Sequence, residues 1–564
     1  MPDAAPTASH AGAGLPAGAR RPAHPPQADE ATIRLVPDII VSDGQLIDGT
    51  GSPRQRADVA ISGDRVVAVG DLSGVRARRR VDAAGRVVTP GFIDLLGHSY
   101  YALLLDPAGT SKLLQGVTLE VTGERLGAGP LHGLARDLCV AEGLKPLGLD
   151  ACWDDHAGYE ALIQQQGIAL NIACTIPGAL LRASVTDPWS GSPLTGRQFD
   201  CLCELLKQAF AQGAVSVTFV LEEAPCCFYA RAELDRLLEI ARDHDRLVMF
   251  HLRDEGAGVL AALDEVIGML RRTGARGEVL HLKVLGAANW HLITAVIDRL
   301  ERAQAEGIDL QANAYPYTAA GLALQQLIPG LVRHDPAQLA ARLRRSPARR
   351  RALLDDLTNH HPARLWEGVR MATVPPGEMA WPFSDLADHA GTTPAALAVD
   401  LLTEAHDWIH LSVEAIADDS LDLLYARPWV GVVSDGSARH PQIKALAQGP
   451  AHPREYGTFP RFLREFVRTR GVLDEAAAVS RITSRAAGRL GLHDRGRVVP
   501  GAAADLLVFD PGQFRDRATI DQPNRLAEGL DWVIVNGQIV VQHGAVTGTL
   551  PGTVVHPPTG GAGQ

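Results

Sequence analysis

The stretch that decides the fold is "VVTPGFIDLLGH", residues 87–98. It is an apolar run without helical period, interrupted by Pro and Gly, and it delivers one histidine, His98, at its end. That pattern reads as a buried parallel strand with a polar side chain at its carboxyl tip. Seven more runs of this kind follow. With the first, Val87 to Asp94, strands are expected at Val117 to Thr122, Ile168 to Ile176, Ala214 to Val220, Leu247 to Leu252, Val279 to Lys283, Leu310 to Tyr317 and Val430 to Asp435. Between them lie amphipathic segments such as "RAELDRLLEIARDHD" and "HLITAVIDRLERAQAEG", the latter closed by a glycine stop. Strand and helix alternating eight times predicts an α/β chain built as a (β/α)8 TIM-type barrel, with its chemistry gathered where the strands end.

Working outward, both flanks change texture. "DIIVSDGQLID" and "ADVAISGDRVVAVG" before the barrel, and "ADLLVFD" and "LDWVIVNGQIVV" after it, are short β-runs separated by Gly and Asp turn signals. A small β-sandwich domain made of residues 36–85 and 495–556 is therefore expected around a barrel of residues 86–494. The chain between the seventh and eighth strands is too long for one helix, so an inserted subdomain before the last strand, about 330–412, is expected. Residues 1–35 are a Pro/Ala-rich tail that reads as disordered.

A length of 564 residues allows a large core, and a net charge of −11 argues against nucleic acid as a partner. The first thirty-odd residues lack the apolar run of a signal peptide, and no stretch of about 18 apolar residues suggests a membrane span. The seven cysteines include Cys226 and Cys227 side by side but no C-x-x-C pair, which reads as reduced thiols in a cytoplasmic protein. Whether the chain forms a homo-oligomer stays open.

The expected strand ends supply a chemical inventory. Glu124 closes "EVTGE", His251 stands in "MFHLRDEG", His281 in "VLHLKVLG" and Asp435 in "VVSDGS". One carboxylate and two imidazoles suit Zn²⁺ or a similar divalent ion with a fourth position left open, and Asp435 would then serve as base. Taken singly, each has a bland reading as well: a hydrogen-bonded structural histidine, a solvated glutamate, ordinary Ser-Asp-Gly turn chemistry. Their placement at one end of one inferred barrel favours the site.

The segments "VVTPGFID", "LLQGVTLEVTGE", "FHLRDEG", "HLKVLGAANW", "ANAYPYTAAGLALQQLIPG", "PWVGVVSDGS", "HPREYGTFPRFL" and "WVIVNGQIVVQHGAVTGTLPGTVV" carry a resemblance. In order and spacing the chain resembles the D-aminoacylase (N-acyl-D-amino-acid deacylase) family of the metal-dependent amidohydrolase superfamily, from about residue 36 to 556. The resemblance implies a tightly held metal on Glu124, His251 and His281, with Glu124 standing where the family usually has a cysteine, and a catalytic aspartate at Asp435. It also exposes a departure. The family's first strand ends in His-x-His, whereas this chain has Leu96, Gly97 and His98. A single ion, most simply Zn²⁺, is therefore expected, with His98 a ligand, a hydrogen-bond donor to substrate or to Asp435, or a buried neutral histidine beside Tyr100.

The chemistry so implied is hydrolysis of a C–N amide bond of a small molecule, most simply an N-acyl-D-amino acid. The ion would polarise the carbonyl and acidify a water, and Asp435 would carry the proton to the leaving amine. His98 and Tyr317 are candidate helpers at the developing oxyanion. Lys283 and Arg454, with Arg253 next, are candidates to hold a substrate carboxylate; Lys283, two residues past His281, would share that ligand's face if the strand continued. Tyr315 and Tyr317 are expected either to line the pocket or to pack in the core. After the fourth strand the family's Gly-Leu-x-Tyr is replaced by "VLEE", placing Glu222 and Glu223 near the substrate, where they would repel an acidic one. Another amide, a cyclic amide, a specialised metabolite, or a non-catalytic binding role are the competing readings.

Overall fold

In the computed structural model, which describes residues 36–328, 330–360, 366–372, 380–447 and 451–557, eight parallel strands stand side by side in chain order. They are β1 (Phe92–Gly97), β2 (Val117–Thr122), β3 (Asn171–Pro177), β4 (Ser216–Val220), β5 (Leu247–His251), β6 (Gly277–Val279), β7 (Leu310–Ala314) and β8 (Val430–Val432). The sheet closes at a short seam between its first and last members. There the Asp435 amide donates to the Leu96 carbonyl at 2.9 Å, and the His98 amide to the Gly436 carbonyl at 3.0 Å. The TIM-type barrel expected from the alternation is thus the fold.

The covering helices follow from their sequences. In α1 (Gly196–Ala211), Thr195 and Gln198 form a reciprocal capping box that satisfies orphan amides of the first turn. In α2 (Arg231–Asp243) the buried residues Leu234, Leu237, Leu238 and Ala241 recur at helical spacing, so one stripe meets the barrel while Arg and Glu face water. Burial of each leucine contributes about 1.5–3 kcal/mol.

Several strand boundaries differ from expectation. The first run is two strands: Val87–Pro90 pairs antiparallel with Leu506–Phe509 and parallel with Gln45–Leu46, and only Phe92–Gly97 enters the barrel. The break falls at Gly91, where a Cβ would lie 2.0 Å from Thr118 Oγ1, so only glycine lets the chain pass from one sheet to the other. Val87–Pro90 therefore belongs to a seven-stranded mixed sheet drawn from both chain ends. A four-stranded sheet (Ile39–Ser42, Asp58–Ser62, Arg65–Gly70, Arg79–Asp82) faces it across a core that includes Val41, Val59 and Val81 on one side and Val88, Leu506 and Ile534 on the other. The sixth and seventh strands also end sooner than expected, at Val279 and Ala314.

Between β7 and β8 a three-stranded antiparallel sheet (Ala319–Ala323, Val369–Met371, His410–Glu414) packs with helices around Leu324, Phe383, Val399 and Leu411. Its first strand precedes the expected insertion start at 330, so this unit rises directly from the end of β7. The N-terminal tail, residues 1–35, lies outside the described residues. Among the described residues no helix is long and apolar enough to cross a membrane, and all seven cysteines are unpaired.

Candidate active site

The barrel brings Glu124, His251, His281, His98 and Asp435 to one end of the sheet. Glu124 follows β2 after Gly123, His251 is the last residue of β5, and His281 and Asp435 sit just beyond β6 and β8. The latter two hold left-handed backbone, with φ of 35° and 49°. Such values are costly for residues with a Cβ, and here hydrogen bonds over-determine them. The His281 amide donates to Asn313 Oδ1 at 2.7 Å, and the Asp435 amide makes the seam bond to Leu96.

Glu124 Oε1 lies 3.2 Å from His251 Nδ1 and 3.1 Å from His281 Nε2. One ligand atom from each residue falls within 4.8 Å of the others, a donor set of one carboxylate oxygen and two imidazole nitrogens that fits a divalent ion. The far nitrogens are also held: His251 Nε2 faces Glu222 Oε2 at 3.3 Å, and His281 Nδ1 faces Glu255 Oε1 at 3.1 Å. Carboxylates in that position fix the imidazole orientation that a metal requires. Burial opposes ionisation of Glu124, but hydrogen bonds from His251 and His281 outweigh it and hold its carboxyl well below the usual range.

A second set overlaps the first, since His98, Glu124 and Asp435 also offer atoms within 4.8 Å of one another. His98 Nε2 is 3.0 Å from Asp435 Oδ1 and 3.7 Å from Glu124 Oε2. Leu96 packs into the barrel interior with Leu119 and Val121. Over Gly97, where a Cβ would come within 2.1 Å, sits the carboxylate of Glu120. Glu120 accepts from the Ser99 amide at 2.9 Å and hydroxyl at 2.8 Å. Lys112, wholly buried, lies 3.2 Å from that carboxylate, 2.9 Å from Asp94 and 2.6 Å from Ser434 Oγ, the residue before Asp435.

His98, Glu124, His251, His281 and Asp435 line a cavity of about 290 Å³. Lys283, Arg454 and Tyr315 converge on its wall: the Arg454 guanidinium lies 5.0 Å and the Lys283 ammonium 5.9 Å from the Tyr315 ring centre. Tyr315 Oη and Arg454 Nε are buried without a hydrogen-bond partner, in two residues that line the cavity. Lys283 reaches His281 by a different route from the one expected. The strand has already ended, and the left-handed turn at His281 brings Lys283 Nζ to Glu255 Oε2 at 2.7 Å.

Two expected substrate residues are placed elsewhere. Arg253 forks onto Glu265 at 2.9 and 3.0 Å and donates to the Leu221 carbonyl, and it does not line the cavity. Tyr317 also points away, its hydroxyl donating to the Pro453 carbonyl at 3.1 Å, because β7 ends at Ala314 and strict alternation stops there. Glu223 does line the cavity, but Oε2 is engaged by Arg125 Nη1 at 3.0 Å and Oε1 by Gln326 Nε2 at 3.0 Å. Sequence reasoning missed Arg125, Glu142 and Glu255. The i+4 spacing of Glu255 from His251 was its one visible signal, whereas the Arg125–Glu142 fork joins a loop to a helical turn that no local pattern connects.

Comparison with known proteins gives a consistent result. A profile described as the amidohydrolase family matches residues 450–541. An N-acyl-D-glutamate deacylase of Alcaligenes xylosoxydans xylosoxydans is 32% identical over 503 residues, covering 89% of this chain and 93% of that protein. A D-aminoacylase of the same organism is 30% identical over 535 residues, covering 92% and 97%. Among solved structures, the N-acyl-D-glutamate deacylase of Bordetella bronchiseptica, complexed with zinc and a phosphonate inhibitor, superposes with a TM-score of 0.77 at 28% identity, covering 93% of this chain and 100% of that one. A barrel with such a donor set and such relatives defines an amidohydrolase. Within that class the chain belongs to the D-aminoacylase family.

Proposed function

We propose that the protein hydrolyses the amide bond of a small N-acyl amino acid, most simply of the D series, with one divalent ion on Glu124, His251 and His281. The carrying observation is that this donor set, the Asp435 carboxylate and the Lys283, Arg454 and Tyr315 cluster open into the same cavity. Zinc in a structural relative and the D-amino-acid activities of the sequence relatives support the reading. An ion in this position supplies Lewis-acid polarisation of the carbonyl and acidifies water.

The rest is the work of the chain. The substrate carboxylate is taken by Arg454 and Tyr315, with the Lys283 ammonium, held by Glu255 and His281, adding its charge behind them, which leaves the acyl carbonyl directed at the donor set. Asp435, ionised and held by Arg454 and His98, accepts the proton of the attacking water and returns it to the departing nitrogen. His98 keeps the carboxylate in line and donates to it in its protonated form. With Leu96 in place of the first histidine of the pair, His98 and Asp435 form the base assembly of a one-ion centre.

The test joins elemental analysis of the purified protein to a panel of N-acetyl amino acids in both enantiomeric series. About one zinc per chain and turnover of the D series are expected. Absence of metal after reconstitution would remove the hydrolytic mechanism and leave a binding role.

A further inference from the structure

The cavity is divided by charge. Around the candidate metal position, three carboxylates (Glu124, Glu255, Asp435) face two basic side chains, Lys283 and Arg454. Both bases stand on the side of the candidate metal position, where a substrate carboxylate would meet them. The outer wall has the opposite sign: among the described lining residues, Glu142, Glu223 and Asp407 stand against Arg125.

Arg125 is not available to a ligand. Its Nε and Nη2 fork onto Glu142 at 3.0 Å each, and Nη1 donates to Glu223 at 3.0 Å and to the Ala224 carbonyl. Its guanidinium lies 5.8 Å from the Trp189 ring centre and 5.4 Å from that of Trp408. Turning to an acidic substrate would strip Glu142 of the partner that holds both of its carboxylate oxygens. Asp407 accepts the Trp408 amide at 2.7 Å, and among the described residues it makes no ion pair. Its carboxylate stands exposed on the cavity wall, open to a cation. Trp408, whose indole Nε1 has no hydrogen-bond partner, adds an aromatic wall. Asp407 and Trp408 line the same cavity as Glu124, His251, His281 and Asp435, and Tyr315, 2% exposed with an unpartnered hydroxyl, stands on the inner wall of that cavity.

We propose that the outer half of the cavity, lined by Glu142, Glu223, Asp407 and Trp408, receives a cationic side chain, so that the preferred substrates are N-acyl derivatives of basic amino acids bearing a guanidinium or ammonium group. The inference rests on the amide-hydrolase reading above and goes beyond it by fixing the substrate class. It also separates this chain from its relative that acts on N-acyl-D-glutamate, whose substrate carries the opposite charge.

The experiment measures kcat/KM for N-acetyl-arginine, N-acetyl-citrulline and N-acetyl-glutamate, each as D and L enantiomers, with the zinc-loaded full chain. Arginine and citrulline share shape and differ in charge, so their ratio isolates the outer wall. A ratio of about 10 to 100 in favour of arginine is expected, corresponding to one or two charge-assisted contacts. That ratio should fall toward unity in Asp407→Asn and Glu223→Gln, and should shrink as salt is raised. Equal or better turnover of citrulline or glutamate would overturn the cationic subsite while the amide-hydrolase reading stands. Failure to cleave any of the six compounds, or their neutral alanine and leucine analogues, would overturn both.

Discussion

Arg454 Nη1 lies 2.7 Å from Asp435 Oδ2, on the opposite side of the carboxylate from His98. Burial by itself would raise the Asp435 pKa, but Arg454, then His281 and the hydrogen bond from His98, bring it well below the usual carboxylate range. A base must be ionised to act, so its folded pKa sets the acidic limit of activity. Arg454→Met should move that limit upward, toward neutral pH, and raise KM at least about tenfold through loss of the carboxylate contact. Arg454→Lys should restore the limit more than the KM. Profiles of kcat/KM between pH 4 and 9 would decide it, and an unmoved acidic limb would show that Arg454 does not govern Asp435.

Loss of the ion and loss of the base should be separable. Glu124→Ala is expected to abolish both tight metal binding and turnover. Asp435→Asn should keep about one ion per chain while lowering kcat by about 10²–10⁴-fold. Elemental analysis beside steady-state kinetics distinguishes the two, and metal retained in Glu124→Ala would refute the assignment of the ligand. Two ions in the native protein would mean that His98 and Asp435 complete a second position.

Lys112 is enclosed by Asp94, Glu120 and Ser434 with no solvent contact. Replacing it with methionine leaves two buried carboxylates without their cation, a loss of about 3–5 kcal/mol. Denaturant unfolding should register this as a lower midpoint with an unchanged slope. A change below 1 kcal/mol would mean the carboxylates take up protons at little cost.

His156 offers a test of stability against pH away from the site. Its side chain is buried, Nδ1 has no partner, and burial depresses its pKa from 6.5 to about 4. Below pH 6.5 the unfolded chain takes up a proton that the native imidazole refuses until about pH 4, so the folded state loses stability as pH falls across that interval. The full loss is on the order of 3 kcal/mol. His156→Gln should flatten the dependence of unfolding on pH between 7 and 4; an unchanged slope would place the effect on other groups.

Much of this molecule is legible before folding because barrel strands announce themselves as apolar runs and deliver polar residues at their ends. Glu124, His251, His281 and Asp435 could be found that way, since each ends its strand or follows it within a few residues. What eluded the reading depends on contacts across the barrel mouth or on backbone that departs from strand geometry. The split at Gly91 is enforced by Thr118 from the neighbouring strand, and no local pattern reveals a neighbour. Alternation failed beyond Val279 and Ala314 for the related reason that the chain turns there, so Lys283 and Tyr317 could not be placed by counting in twos. Arg125 belongs to the same category, its partners Glu142 and Glu223 being 17 and 98 residues away.

The seam where β8 meets β1 is stitched by the amides of Asp435 and His98, whose side chains meet 3.0 Å apart. Integrity of the cylinder and alignment of the proton-transfer pair are therefore one mechanical variable. Any breathing that parts the first and last staves also spreads the pair, so these two amides should exchange their hydrogens on the same clock by which activity is lost on warming.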